Sequence, residues 1–70
     1  APWISPNPAH EWLTIHGLTA RTAISIIDLS GRVLLQMNSE TNEATLNVHG
    51  LTSGMYLIEV NNHSIPWIKN

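Results

Sequence analysis

The sequence predicts an all-β fold, a small antiparallel β-sandwich of six to seven strands, and three observations carry that expectation. Apolar residues recur at every second position in short runs, as in Leu13/Ile15, Ile24/Ile26, Leu46/Val48 and Tyr56/Ile58/Val60. That period belongs to a strand with one buried face. Turn-forming clusters such as Asp28-Leu29-Ser30-Gly31 and Gly50-Leu51-Thr52-Ser53-Gly54 separate the runs at short intervals, as they do in sandwiches. No stretch carries a helical period with caps, so helix content is expected to be close to nil.

At 70 residues the chain makes one small domain, and a domain of this size buries only ~60% of the surface its unfolded chain exposes. Hydrophobic residues at 43% still supply a core. There is no cysteine, so neither disulfides nor a cysteine zinc site reinforce it. Charged residues make up 11% and the net charge is −2, which removes the electrostatic basis for binding nucleic acid. No apolar run is long enough to cross a bilayer, and Ala1-Pro2-Trp3 is not a signal peptide. An export signal, if there is one, is expected on a longer parent chain.

Residues 1–8 carry three prolines, which forbid a helix and favour an extended or polyproline path. They read as a linker or edge segment in which Trp3 and Ile4 can dock as a strand, and residues 9–70 as the sandwich itself. Glu11 to His16 alternates and stops at Gly17. Thr22 to Asp28 is a second strand. Asp28-Leu29-Ser30-Gly31 predicts a type I turn closed by a left-handed glycine, with Arg32 to Met37 returning. Asn38 to Glu43 is expected as an exposed polar loop, and Ala44 to His49 as the next strand. Asn61-Asn62 suits a two-residue hairpin turn, leading into a last strand from His63 to Lys69. Pro66 cannot donate to a ladder, so that strand belongs on an edge.

The stretch Leu51 to Val60 organises the rest. Gly50 and Gly54 can each take φ > 0 in the turn, and Tyr56 then points into the core with its phenol near the bend. That is the layout of a tyrosine corner, the device by which immunoglobulin-like sandwiches pin the crossing between their sheets.

A search for reactive groups yields no catalytic residue, no cofactor site and no metal site. His10, His16, His49 and His63 show no HxH or HExxH spacing; His16 and His49 both close strands before a glycine and could meet at one end. The carboxylates of Glu11, Asp28, Glu40, Glu43 and Glu59 are scattered, and Asp28 is explained by its turn. Ser25, Ser30 and Ser53 lack a nucleophile elbow. Trp3, Trp12 and Trp67 are expected mainly as covers for the open edges of a small core; the other reading gives Trp12 a sugar-stacking role. Asn62-His63-Ser64 fits the short glycosylation pattern.

Taken together, the ordered motifs resemble a known family. Pro6-Asn7-Pro8-Ala9 precedes Leu13-Thr14-Ile15. Ile26-Ile27-Asp28-Leu29-Ser30-Gly31-Arg32-Val33 follows, then Gly50-Leu51-Thr52-Ser53-Gly54-Met55-Tyr56, and finally Ile68-Lys69. From Pro6 to Asn70 the chain is similar to the type A C-terminal sorting domain of the type IX (Por) secretion system of Bacteroidetes. It departs from the family pattern at Pro66, where a lysine is usual.

The resemblance implies an address rather than an enzyme. Cargo of this family enters the periplasm on an N-terminal signal peptide, and the domain directs it to the outer-membrane translocon. A sortase-like protease commonly removes the domain, leaving cargo on the cell surface or released. By motif position the shared residues are Pro6, Asn7, Pro8, Asp28, Gly31, Arg32, Gly54, Tyr56, Ile68 and Lys69. Ile65, Trp67, Ile68, Lys69 and Asn70 are the expected translocon contacts. Lys69 is read as exposed and without a packing role, and Ile65 to Lys69 as a docking strand whose open edge adds to a partner sheet or pairs two copies into a homodimer. The rival reading is an accessory glycan-binding β-sandwich module.

Overall fold

The computed structural model describes residues 2–19, 21–61 and 63–70. Seven strands form in the order β1 (Trp3–Ser5), β2 (Trp12–His16), β3 (Thr22–Ile27), β4 (Val33–Ser39), β5 (Ala44–Asn47), β6 (Gly54–Val60) and β7 (His63–Lys69). A three-stranded sheet, β1-β2-β5, faces a four-stranded sheet, β4-β3-β6-β7. Every strand pair is antiparallel, and no helix occurs among the described residues. The fold is a small β-sandwich.

The alternation visible in the sequence is what fills its interior. Leu13 and Ile15 of β2 and Leu46 of β5 meet Ile24 and Ile26 of β3, Ile58 and Val60 of β6 and Trp67 of β7 in one buried cluster. Ala9, Leu18 and Val48, which flank the strands, complete it. Each buried aliphatic side chain of this size contributes roughly 1.5–3 kcal/mol of transfer free energy.

Tyr56 forms the expected corner. Where the chain leaves β5 for the other sheet, the Tyr56 hydroxyl donates to the Thr52 carbonyl at 2.6 Å, while the ring is buried and stacks on Trp67 with centroids 5.3 Å apart. Gly54 takes φ +148° at the start of β6, where a side chain would be strained. Gly50 needs no such conformation.

The β3–β4 turn also forms as expected. The Gly31 N–H donates to the Asp28 carbonyl at 3.0 Å with Gly31 at φ +91°. Asp28 Oδ1 accepts from the Ser30 N–H at 3.0 Å, the Ser30 hydroxyl at 2.6 Å and the Arg32 N–H at 2.9 Å. One extra residue in β4, Leu34, shifts the register at Ile26/Ile27, so Val33 rather than Leu34 opposes Ile27.

Two local expectations need correction. The strand after the turn does not stop at Met37: Asn38 and Ser39 continue β4, and Ser39 is buried, its hydroxyl donating to the Thr41 and Glu43 carbonyls. A serine that satisfies its own hydroxyl in this way ends a strand without reading as apolar. Residues 6–8 bend instead of continuing an extended path, because Asn7 and Ala9 turn back onto β7. At the β6–β7 hairpin Val60 pairs with His63 and Asn61 has φ 54°; Asn62, and with it the start of the glycosylation pattern, lies outside the described residues.

Candidate recognition surface

As Pro66 required, β7 is an edge strand. Pro66 opposes Leu57, and a residue without an N–H fits only where the backbone groups point away from β6. By alternation the outward groups of β7 are then those of Ser64, Pro66 and Ile68. This border is not open along its length. The Ile68 N–H donates to Asn7 Oδ1 at 3.1 Å. The Ile68 carbonyl accepts from the Ala9 N–H at 2.8 Å, and the Asn70 N–H donates to the Ala9 carbonyl at 2.8 Å. Ala9 and Lys69 thereby make a parallel bridge.

The expected docking strand is corrected accordingly. Its outward backbone from Ile68 onward is already occupied by Asn7 and Ala9. Lys69, expected to be exposed, is buried at 6% exposure with its Nζ donating to the Asn70 carbonyl at 2.8 Å. The reason is periodicity: counted along β7, Lys69 falls on the same face as Trp67 and opposite Gly54. Trp67, also expected as a contact, is buried at 1% exposure, and its Nε1–H meets no acceptor. Ile68 and Asn70 are exposed and Ile65 is half-buried.

Pro6, Asn7 and Pro8 are exposed in the bend, with Asn7 acting through its contact with Ile68. Asp28, Gly31 and Arg32 form one turn, where Arg32 Nε approaches Asp28 Oδ2 at 3.3 Å. The Ser30 hydroxyl, then the Arg32 backbone N–H, holds the Asp28 carboxyl below its ordinary pKa. Gly54 and Tyr56 make the corner. The structure therefore brings the shared residues together in two groups, one on β7 with the bend and one at the turn and corner, and both groups serve the fold.

A cluster that sequence reasoning missed sits on the outside of the three-stranded sheet. His16 Nδ1 lies 2.9 Å from Glu43 Oε2, and His16 Nε2 lies 2.8 Å from Ser5 Oγ. The Glu43 carboxylate can only accept, so Nδ1 carries a proton and donates to it, while Nε2 pairs with the Ser5 hydroxyl. Trp3 stacks on the imidazole with centroids 3.9 Å apart. Hydroxyl, imidazole and carboxylate are in the order of a hydrolase triad, but Ser5 sits within an antiparallel ladder opposite Thr14. The shallow depressions of the surface lie elsewhere, along β3–β4 and beside the corner. What the cluster does is fasten β1 to β2 and to the β4–β5 loop. Only strand register places Ser5 and His16 on one face, which is why their sequence separation concealed it.

Trp3 and Trp12, at 57% and 53% exposure, stand out from this sheet instead of covering the core. His10, His49 and His63 are exposed and do not join His16. No three histidine, cysteine or acidic side chains converge among the described residues.

A seven-stranded sandwich pinned by a tyrosine corner and closed by its own first residues against its last strand belongs to the class of small antiparallel β-sandwich domains. The comparisons make this specific. The family model for the secretion system C-terminal sorting domain matches residues 4–70, and the chain belongs to that family, the sorting domains of the type IX (Por) secretion system found in Bacteroidetes. A solved structure from a study of PorZ, described as an essential bacterial surface component of the type IX secretion system of Porphyromonas gingivalis, superposes with a TM-score of 0.88 at 28% identity. The match covers 99% of this chain and 11% of that one. No curated protein matches the sequence. The family assignment does not favour the glycan-binding module as an alternative.

Proposed function

We propose that this domain acts as a folded address read without bond-making of its own. Cargo attached to it is carried from the periplasm to the outer-membrane translocon, after which a sortase-like protease removes the domain and leaves the cargo on the cell surface or released. The observation that carries this reading is the family match over residues 4–70, which spans the whole sandwich from β1 to β7. The exposed Ile68 and Asn70 are the contacts we assign to the machinery on β7, while the half-buried Ile65, with Trp67 and Lys69 on the strand's inner face, acts from inside by holding that strand in place. Pairing of two copies through β7 is limited by the bonds at Ile68, so an edge-paired dimer would form through β4, the other border of the same sheet.

The test is a reporter carrying an N-terminal signal peptide and this domain at its C-terminus, expressed in a bacterium with type IX machinery. Reporter at the cell surface or in the medium, lost when the translocon is disabled, is the expected result. Reporter held in the periplasm with the machinery intact would reject the proposal.

A further inference from the structure

The outer faces of the two sheets differ in kind. On the three-stranded sheet the outward positions are polar or carry the tryptophans, and Thr14 and Thr45 join their hydroxyls across β2 and β5 at 3.1 Å. On the four-stranded sheet strand register lines up an apolar row. Val33 opposes Ile27, Ile27 opposes Leu57, and Leu57 opposes Pro66, so the row crosses all four strands. Met55 and Ile68 form a second row beside it. Val33, Met55 and Ile68 are 50%, 49% and 42% exposed. Ile27 is buried at 9% exposure yet stands outside the core cluster, because its outward neighbours shelter it. The patch ends at a polar row, Gln36–Ser25–Glu59–Ser64.

We infer that this patch is the docking face of the domain, and that its occupant is an uncharged, apolar protein surface of the secretion machinery; the inference rests on the sorting function proposed above. Two observations choose the occupant. The exposed apolar area is on the order of 300 Å², within the range of functional patches on monomers. It is short of the roughly 450–520 Å² of apolar surface contained in the ~800 Å² per partner that a stable interface buries. A lasting dimer of this chain therefore does not form on it, whereas a carrier that must be bound and then released needs a contact of this limited size. The charge pattern disfavours a lipid surface. Of the three cations, Arg32 is paired with Asp28, Lys69 is buried and Arg21 lies at the far end of β3 from Ile27, while the charge bordering the patch is Glu59; surface-lying elements need cations toward anionic headgroups. Ile68 belongs to both the patch and β7, so the terminal strand is read through the side chains on its outer face and not through its backbone border.

The reporter fusion described above tests this with Val33→Thr, which keeps the shape and β propensity, and Met55→Glu, which sets a charge in the patch. Trp12→Ser on the opposite face is the control. Expected is a tenfold or greater loss of exported reporter for Met55→Glu, a smaller loss for Val33→Thr and unchanged export for Trp12→Ser. Thermal midpoints of the variant 70-residue chains, compared with that of the unsubstituted chain, separate docking from folding. Both patch variants exporting at the level of the unsubstituted domain, or losing export only in proportion to lost stability, would overturn the inference. So would a chain that sediments as a dimer and becomes monomeric on Met55→Glu, which would assign the patch to a second copy. If the unsubstituted domain exports nothing, the sorting function itself fails first.

Discussion

Asn7 Oδ1 accepts the Ile68 N–H at 3.1 Å, joining residues 61 apart in sequence. With the Ala9–Ile68 and Asn70–Ala9 backbone bonds, it makes the domain's first residues part of its last edge. A side chain here does what a neighbouring strand would otherwise do.

Asn7→Ala should uncover that N–H and cost about 1 kcal/mol, the usual net worth of such a bond. Amide exchange resolves it. The Ile68 amide should exchange markedly faster while that of Ile58, in the sheet interior, changes only as global stability does. Equal acceleration at both would mean that Asn7 supports the whole fold and not this border.

Tyr56→Phe removes the hydroxyl that donates to the Thr52 carbonyl and leaves the ring stacked on Trp67. The expected loss is about 1 kcal/mol, or a fall of roughly 4–8 °C in thermal midpoint for a domain of this size. An unchanged urea midpoint would remove the corner bond from the account of stability.

Asp28 provides a pH dependence of known sign. Its carboxyl is held below its ordinary pKa by the Ser30 hydroxyl and then the Arg32 N–H. The unfolded chain therefore binds that proton more readily than the folded one. The stabilisation is fully present above about pH 4, the range of a free aspartate, and is lost as pH falls through the folded value. Asp28→Asn should flatten this part of the stability profile below about pH 4, measured by denaturant unfolding across pH.

Trp67 should be separable from the other two indoles. In a variant with Trp3→Phe and Trp12→Phe, the remaining emission should be blue-shifted and shielded from acrylamide, as its 1% exposure requires. Trp67→Ala should cost about 3–5 kcal/mol, enough to unfold a marginal small domain. Emission typical of exposed indole would contradict its burial.

The fold was largely legible because its signals are local. A strand of period two fixes the inward set from Leu13 to Val60, and Asp28 to Gly31 names its own turn. The corner was legible too, since Tyr56 and Thr52 are four residues apart. The recognition surface was less so, because it depends on register and on contacts between distant segments. Lys69 looked like a free charge, and its place on the Trp67 face of β7 buries it. Ser5, His16 and Glu43 meet across strands. The bulge after Ile26 is what sets Val33 beside Ile27; one residue of slip would have broken the apolar row.

Ala9 runs parallel to Lys69, and this arrangement has a mechanical sense. When two parallel terminal segments are pulled from opposite ends, their cross-links are loaded together in shear and do not peel one at a time. Drag from a passenger upstream of β1, opposed by a grip on β7, would draw the three-residue β1 off the edge of its sheet and then meet this resistance before the four-stranded sheet opened. An optical-trap comparison of the chain with and without Asn7→Ala would read it as a drop in rupture force. On that outcome the small parallel seam would be a strain relief for whatever is joined upstream.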